Sequence, residues 1–259
     1  MKALVFDLDD TLLNSAKEIG LRTRQALDVW LTSGREIVFA TSTPIRKVRA
    51  FLPEELAKGC EIITMNGAVR HCEGAQVFKA PGLGDAGKSI VSRFPRGHSV
   101  HVTAEVDGEE FATNYHSSDE ELMQWNAATR DMVLEMENLD FERVGKIALS
   151  RWGPHMDDLM PWLTTLGCEV IACEGGTFIN VVAAGVDKST ALVDLFSGRG
   201  WGKSDCAVFG DDLPDIKMMA LTDHAVAMAN ARTEVKAVAH HVIGHCDEDC
   251  IGPYIKQWL

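Results

Sequence analysis

The alternation of apolar and polar positions changes its rhythm twice along this chain. Up to Thr64, short apolar runs alternate with stretches of helical spacing. Lys2–Phe6 reads as a buried strand, Glu18–Thr32 as an amphipathic helix closed by Ser33 and Gly34, and Glu36–Ala40 as a second strand. Pro44 suits the first turn of a helix running to Leu52, and Glu61–Thr64 is a third strand. Strands that alternate with helices predict a parallel sheet with helices packed on its faces. The same rhythm returns near the end. Helices are expected over Lys188–Gly198, Leu213–Ala220, Thr233–Ala239 and Glu248–Trp258, with strands at Cys206–Phe209, Ala225–Met228 and His241–Ile243.

The middle of the chain reads differently. Ser99–Val106 and Glu109–Thr113 flank Asp107-Gly108, and Glu169–Cys173 and Thr177–Val182 flank Gly175-Gly176. Both are hairpin signals. Helices near Asp119–Met136 and His155–Leu166 and a strand near Lys146–Ser150 lie between them. Hairpins imply an antiparallel sheet with helices on one face. The expectation is an α/β protein: a Rossmann-like parallel-sheet core, residues 1–81 and 184–259, with an α+β domain, residues 82–183, inserted into it. Ala80-Pro81-Gly82 and Ala183-Ala184-Gly185 would be the linkers.

Composition narrows the function classes. The 259 residues suffice for a core without staples, and they carry a formal net charge of -13 with no basic stripe. Duplex nucleic acid and anionic membrane are therefore poor partners. Seven cysteines, an odd number at irregular spacing, fit reduced thiols in a cytoplasmic protein better than a disulfide framework. No signal peptide is read ahead of the first strand, and no apolar run reaches the length of a membrane span.

Ligands of open parallel sheets bind outside the carboxyl ends of the strands. Asp7 and Asp9 follow the first strand, Thr41 and Ser42 the second, and Asp211, Asp212 and Asp215 follow Phe209-Gly210, while Lys188 opens the helix after the insertion. Clustered carboxylates repel unless a cation sits among them. Asp7, Asp9, Asp211 and Asp215 suit a hard divalent cation such as Mg2+, which keeps room for a phosphate oxygen. Thr41 and Lys188 supply a hydroxyl donor and a positive charge, a pairing that suits a docked phosphoryl group.

The set DLDDT (7–11), AT (40–41), GVDKSTAL (185–192) and GDDLPD (210–215) resembles the haloacid dehalogenase (HAD) superfamily of phosphatases. Within it, MNGA (65–68) and AMANA (227–231) resemble the Cof-type sugar-phosphate phosphatases, which carry an α+β cap where the insertion is read here. The resemblance implies that Asp7 is the nucleophile and forms an aspartyl-phosphate. It implies that Asp9 is the general acid and base, and that Thr41 and Lys188 grip the phosphoryl group. Asp7, Asp211, the Asp9 carbonyl and Asp215 would serve the Mg2+ site. Ser42 and Asn66 would join Asp7, Thr41 and Lys188 in binding phosphate or substrate. The partner would be a small phosphorylated metabolite, and the protein a monomer or weak homodimer.

Four positions depart from the family pattern. Thr41-Ser42-Thr43 stands where Thr-Gly-Arg is common, Pro214 where GDxxND has Asn, and Ser189 follows Lys188 in place of Gly. A phosphotransferase or mutase of the same family, or a non-catalytic phosphate-binding or sensing protein, are the alternatives. Glu105, Asn114 and His116 are candidates for a pocket in the insertion. Trp125, Trp152 and Trp162 are read as helix packing rather than a sugar platform. The tail HHVIGHCDEDC (240–250) does not match zinc spacings and is read as the last strand and turn.

Overall fold

The computed structural model describes residues 1–150, 156–173 and 178–259. The chain begins with β1 (Ala3–Phe6), α1 (Leu21–Thr32), β2 (Glu36–Ala40), α2 (Ile45–Phe51), α3 (Glu54–Lys58), β3 (Glu61–Thr64), β4 (Val69–Cys72) and β5 (Ala75–Lys79). It continues with α4 (Gly84–Arg93), β6 (His101–Val106), β7 (Glu110–Thr113), α5 (Asp119–Asn126), β8 (Val144–Ser150), α6 (Met156–Thr165), β9 (Glu169–Cys173) and β10 (Phe178–Val182). It closes with α7 (Lys188–Arg199), β11 (Cys206–Gly210), α8 (Asp215–Met219), β12 (Ala225–Ala227), α9 (Thr233–Val238), β13 (His241–Val242) and α10 (Ile251–Ile255).

The first sheet has the order β13-β12-β11-β1-β2-β3-β4-β5, parallel from β13 through β3. All four residues of β1 are buried, and they feed two cores. Leu4 and Phe6 pack with Leu27, Trp30 and Ile255 on one face, while Ala3 and Val5 pack with Leu192, Leu195 and Met218 on the other. A strand covered on both faces needs apolar residues at every position, so β1 shows a continuous run rather than alternation. Each large side chain so buried contributes about 2 kcal/mol. The chain leaves β1 toward β2 on one side and returns to β11 on the other. That reversal opens a crevice at the carboxyl end of β1.

The second sheet, β7-β6-β8-β10-β9, is antiparallel. Val102, Ala104, Ile147, Leu149, Ile179 and Val181 form one face and pack with Ile90 and Leu163 of the helices. The alternate positions carry polar residues: Glu105 pairs in register with Lys146, and Asn180 stands opposite Ala148. That polar face meets the strand ends of the first sheet.

Several elements differ from the sequence expectation. β4 and β5 form an antiparallel hairpin over Glu73-Gly74, whose positive φ angles suit a tight turn. β5 is largely exposed and carries no burial signal, so its sequence reads as loop. The helices α3 and α4 were not anticipated; α3 is one turn, and Gly84 and Gly87 weaken the pattern of α4. α5 stops at Asn126, not Met136, because Ala127 turns left-handed with φ 48°. α1 starts at Leu21 rather than Glu18, and α10 at Ile251 rather than Glu248.

Trp162 packs edge-on to Phe94 at 6.1 Å and under Arg93, as helix packing requires. Trp125 does not pack: it is 63% exposed. The turn at Gly175-Gly176, the start of the His155 helix and Trp152 lie outside the described residues. All seven cysteines are free thiols. No helix among the described residues is long and apolar enough to cross a membrane.

Candidate active site

Each residue of the site is delivered by the end of a secondary-structure element. Asp7 follows β1, its amide donating to Phe209 O at 3.0 Å across to β11. Thr41 follows β2 and donates its amide to Ile63 O at 2.9 Å. Lys188 is the first residue of α7, whose N-cap Asp187 accepts from Thr190 N at 2.9 Å in a reciprocal capping box. Asp215 is the first residue of α8. Gly210 leads into this loop because a Cβ there would lie 2.6 Å from the Asp215 Cβ.

These ends meet. Lys188 Nζ donates to Asp7 Oδ1 at 2.6 Å and to Asp215 Oδ1 at 2.8 Å, and all three side chains are buried. Asp215 Oδ2 accepts from the amides of Asp211 and Asp212 at 2.9 and 3.2 Å. Asp211 Oδ1 accepts from Thr11 Oγ1 at 2.7 Å.

Three carboxylates around one ammonium leave the cluster short of positive charge. Burial pushes the Asp7 carboxyl well above its ordinary range, against the pull of Lys188, with Asp215 and Asp211 adding to the rise. Asp211 is pushed up to about 7, first by burial and then by Asp215. Burial alone would lower the Lys188 ammonium, but Asp215 and Asp7 outweigh it and hold it above its usual value.

The donor set fits a hard cation. Asp7, Asp211 and Asp215 each offer a carboxylate oxygen within 4.8 Å of the others. Both Asp215 oxygens are engaged, but Asp7 Oδ2 and Asp211 Oδ2 have no hydrogen bond among the described residues. Two open carboxylate oxygens on a buried, anionic floor suit an oxygen-seeking divalent ion.

Asp9 sits at the rim, half-buried. Lys17 Nζ donates to its Oδ1 at 2.8 Å and Thr43 Oγ1 to its Oδ2 at 3.1 Å. Thr43, at the place where an arginine was expected, thus holds the Asp9 carboxylate instead of projecting a charge. Thr41 is buried, and its hydroxyl accepts from Thr43 N at 3.1 Å. Ser42 turns its carbonyl to Lys146 Nζ at 2.8 Å.

Asn66 donates its amide to Thr41 O at 3.0 Å, and its fully buried side-chain amide has no partner among the described residues. Asn66 has φ 57° and Gly67 φ 100°, and a Cβ on Gly67 would lie 2.2 Å from Asp187 O. Only glycine lets this turn lie against the start of α7.

Sequence reasoning missed Lys17, Lys47 and Lys146, which lie in or beside the site, and the roles of Thr11 and Thr43. It also missed what the AMANA stretch does. Asn230 donates to Asp10 O at 2.6 Å and accepts from Cys246 N at 2.9 Å, tying the first loop to the tail. A signal existed for Thr11, the last residue of DLDDT. None existed for the lysines.

Of the pocket candidates, Glu105 is buried against Arg46. Asn114 braces loop backbone, accepting from Val102 N and donating to Val100 O, both at 2.8 Å. His116 is exposed. In the tail, His245 accepts from Asp247 N at 3.2 Å, and Asp249 caps α1 by accepting from Arg22 N and Thr23 N.

Residues 4–255 match the sequence model of the haloacid dehalogenase-like hydrolases. The chain belongs to this family and is a hydrolase of the HAD superfamily. The HMP-PP phosphatase of Cronobacter sakazakii is 27% identical to it over 262 residues, spanning 98% of this chain and 94% of that one. A Streptococcus mutans structure shares the fold at TM-score 0.84 and 22% identity, covering 100% of this chain and 98% of that one. A sugar phosphatase of HAD subclass IIB does so at TM-score 0.79 and 22% identity, covering 100% and 99%. The strand-end crevice of this HAD hydrolase is where its polar residues converge.

Proposed function

We propose that this HAD hydrolase is a Mg2+-dependent phosphatase that acts on small phosphorylated metabolites, sugar phosphates among them. The observation that carries the reading is the contact of Lys188 with Asp7 at 2.6 Å beside Asp211. A nucleophilic carboxylate needs a cation to keep it ionised and a second one to receive the phosphoryl charge. Names of relatives support the class: one is an HMP-PP phosphatase and another a sugar phosphatase.

The Asp7 carboxylate attacks phosphorus. The bond to the leaving oxygen breaks, and Asp9 gives that oxygen its proton. Asp9, now a carboxylate, takes a proton from water, whose oxygen attacks the aspartyl-phosphate and frees phosphate and Asp7. Thr43 and Lys17 hold Asp9 in place for both transfers. Thr41, Ser42, Asn66 and Lys188 bind the phosphoryl oxygens. Asp7, Asp211 and the Asp9 carbonyl would hold Mg2+, with Asp215 fixing the loop of Asp211, and the bound ion would neutralise charge on the phosphoryl group.

In this reading residues 82–183 are a cap domain that closes over a core of residues 1–81 and 184–259. The enzyme works in the cytoplasm, where its cysteines stay reduced. The test is phosphate release from a panel of phosphorylated sugars and cofactors with Mg2+, with EDTA and with Asp7→Asn. Turnover lost in both controls is expected. Turnover that survives Asp7→Asn would remove the covalent mechanism, and no turnover on any compound would remove the hydrolase assignment to phosphate esters.

A further inference from the structure

The seam between the two sheets holds more positive charge than it neutralises. Arg46 of α2 and Glu105 of β6 form a buried two-pronged pair, Nη1 to Oε2 at 2.6 Å and Nη2 to Oε1 at 3.0 Å. Arg46 also donates to Asn126 O at 3.0 Å and lies over the Phe111 ring. That pair is balanced, one charge against one.

Two lysines beside it are not. Lys146 is the register neighbour of Glu105 and is 5% exposed. Its ammonium donates to the neutral carbonyl of Ser42 and has no carboxylate within ion-pair distance among the described residues. Lys47, next to Arg46 on α2, is half-buried, and its ammonium makes no hydrogen bond or ion pair among the described residues.

Lys146 feels the charge of Lys47, and Lys47 feels those of Asp9 and Lys17. Burial lowers the pKa of both, with Glu105 opposing in each case and Asp9 opposing in the case of Lys47. Ammonium groups taken out of water without a counter-charge are costly. A chain with net charge -13 does not gather two of them by background composition. Their position is informative. Lys146 grips the loop of Thr41 and Ser42, and Lys47 neighbours Asp9, the proposed proton donor to the leaving oxygen.

We infer that Lys47 and Lys146 form an anion subsite on the leaving-group side of the site, so that the substrate carries a second negative group, a phosphate or a carboxylate. The inference rests on the phosphatase reading for the meaning of the leaving-group side. A second anion here completes the charge balance that Arg46 and Glu105 leave open, as a divalent cation does among Asp7, Asp211 and Asp215. The doubly charged compound is thereby favoured over its singly charged analogue through binding.

The test compares three compounds of one skeleton: glucose 6-phosphate, 6-phosphogluconate and glucose 1,6-bisphosphate. For each, kcat/KM is measured with Mg2+ on the wild type, Lys47→Gln, Lys47→Arg, Lys146→Met and the surface control Lys256→Gln. Calorimetric Kd values are measured for the same compounds on Asp7→Asn and on Asp7→Asn with Lys47→Gln. At least one doubly anionic compound is expected to exceed glucose 6-phosphate about tenfold in wild type. Lys47→Gln and Lys146→Met should shrink that ratio toward unity through KM, Lys47→Arg should keep it, and Lys256→Gln should not change it. Which compound gains distinguishes a carboxylate from a second phosphate.

A wild-type ratio near unity, or a ratio that Lys47→Gln leaves intact, overturns the subsite. If Lys146→Met does not fold, the Lys47 pair decides alone. If wild type hydrolyses none of the three, calorimetry judges the subsite alone, and the wider panel decides the phosphatase reading. Tighter binding of a doubly charged compound that is lost with Lys47→Gln upholds it, and equal Kd values overturn it.

Discussion

Two charge clusters lie beside the strand ends, and they are built on different accounting. At the strand tips, Asp7, Asp211 and Asp215 surround Lys188 with negative charge in excess. At the seam, Arg46 and Glu105 cancel, while Lys47 and Lys146 leave positive charge in excess. A buried pair that balances holds elements together and asks for nothing more. A buried cluster that does not balance must shift its protonation or take a partner from outside, because an unmatched charge in low dielectric is expensive. The lesson is that the sign of the imbalance names the ligand: a cation at the tips, an anion at the seam.

The largest expected effect breaks the tip cluster. Asp7→Asn should lower phosphate release by on the order of 10^4 or more, since it removes the proposed nucleophile. Because it removes one of three crowded carboxylates, it should not lower the melting temperature of the metal-free protein. Phosphate assays and a thermal scan in EDTA check both halves.

The seam should answer in the opposite way. Glu105→Gln leaves Arg46 buried without its carboxylate and should cost about 3 kcal/mol in urea unfolding. Arg46→Met combined with Glu105→Leu should recover most of that loss, as a balanced pair replaced by packed apolar groups often does. If the double variant is as unstable as the single one, the pair is not self-contained and the comparison fails.

A pH series sharpens the comparison further. Asp7 and Asp211 have raised folded-state pKa values, Asp211 to about 7. The folded protein therefore binds more protons than the unfolded chain above the ordinary carboxylate range. Its metal-free stability should fall as pH rises through about 7 from the ordinary value of 3.8. A divalent ion that takes the protons' place should offset the loss, so the melting-temperature gap between Mg2+ and EDTA should be wider at pH 8 than at pH 5.5. An equal gap at both would separate these carboxylates from metal binding.

The smallest effect belongs to the rim. Thr43→Val removes one of two hydrogen bonds to Asp9. It should lower kcat by about tenfold or less and leave KM nearly unchanged, because Lys17 still holds the carboxylate. Steady-state kinetics with a substrate of low leaving-group acidity would show it best.

Much of the core was legible because its signals are local. The apolar run of β1 ends at Phe6, so Asp7 had to stand at the strand tip. Lys188 follows a capping residue and opens a helix, so its place at the same edge followed from chain order. The inserted segment was less legible. Its first hairpin turns at Asp107-Gly108 as read, but α4, the early stop at Ala127 and the exposure of Trp125 came from packing that no periodicity carries. Glu105 read as a pocket residue because an acid on a strand says nothing of the arginine that meets it.

The amino-acid sequence by itself determined which strands are buried, in what order, and hence which carboxylates crowd one sheet edge. Period, turn chemistry and capping act over a few neighbouring residues, and the parallel crossover rules do the rest. Only the tertiary structure decided the charge balance of the seam. Arg46 and Glu105 are 59 residues apart, and Ser42 and Lys146 are 104 apart. Whether such groups cancel or are left over depends on how one sheet docks on another. That geometry is set by the summed packing of both, and no local stretch of the chain encodes it.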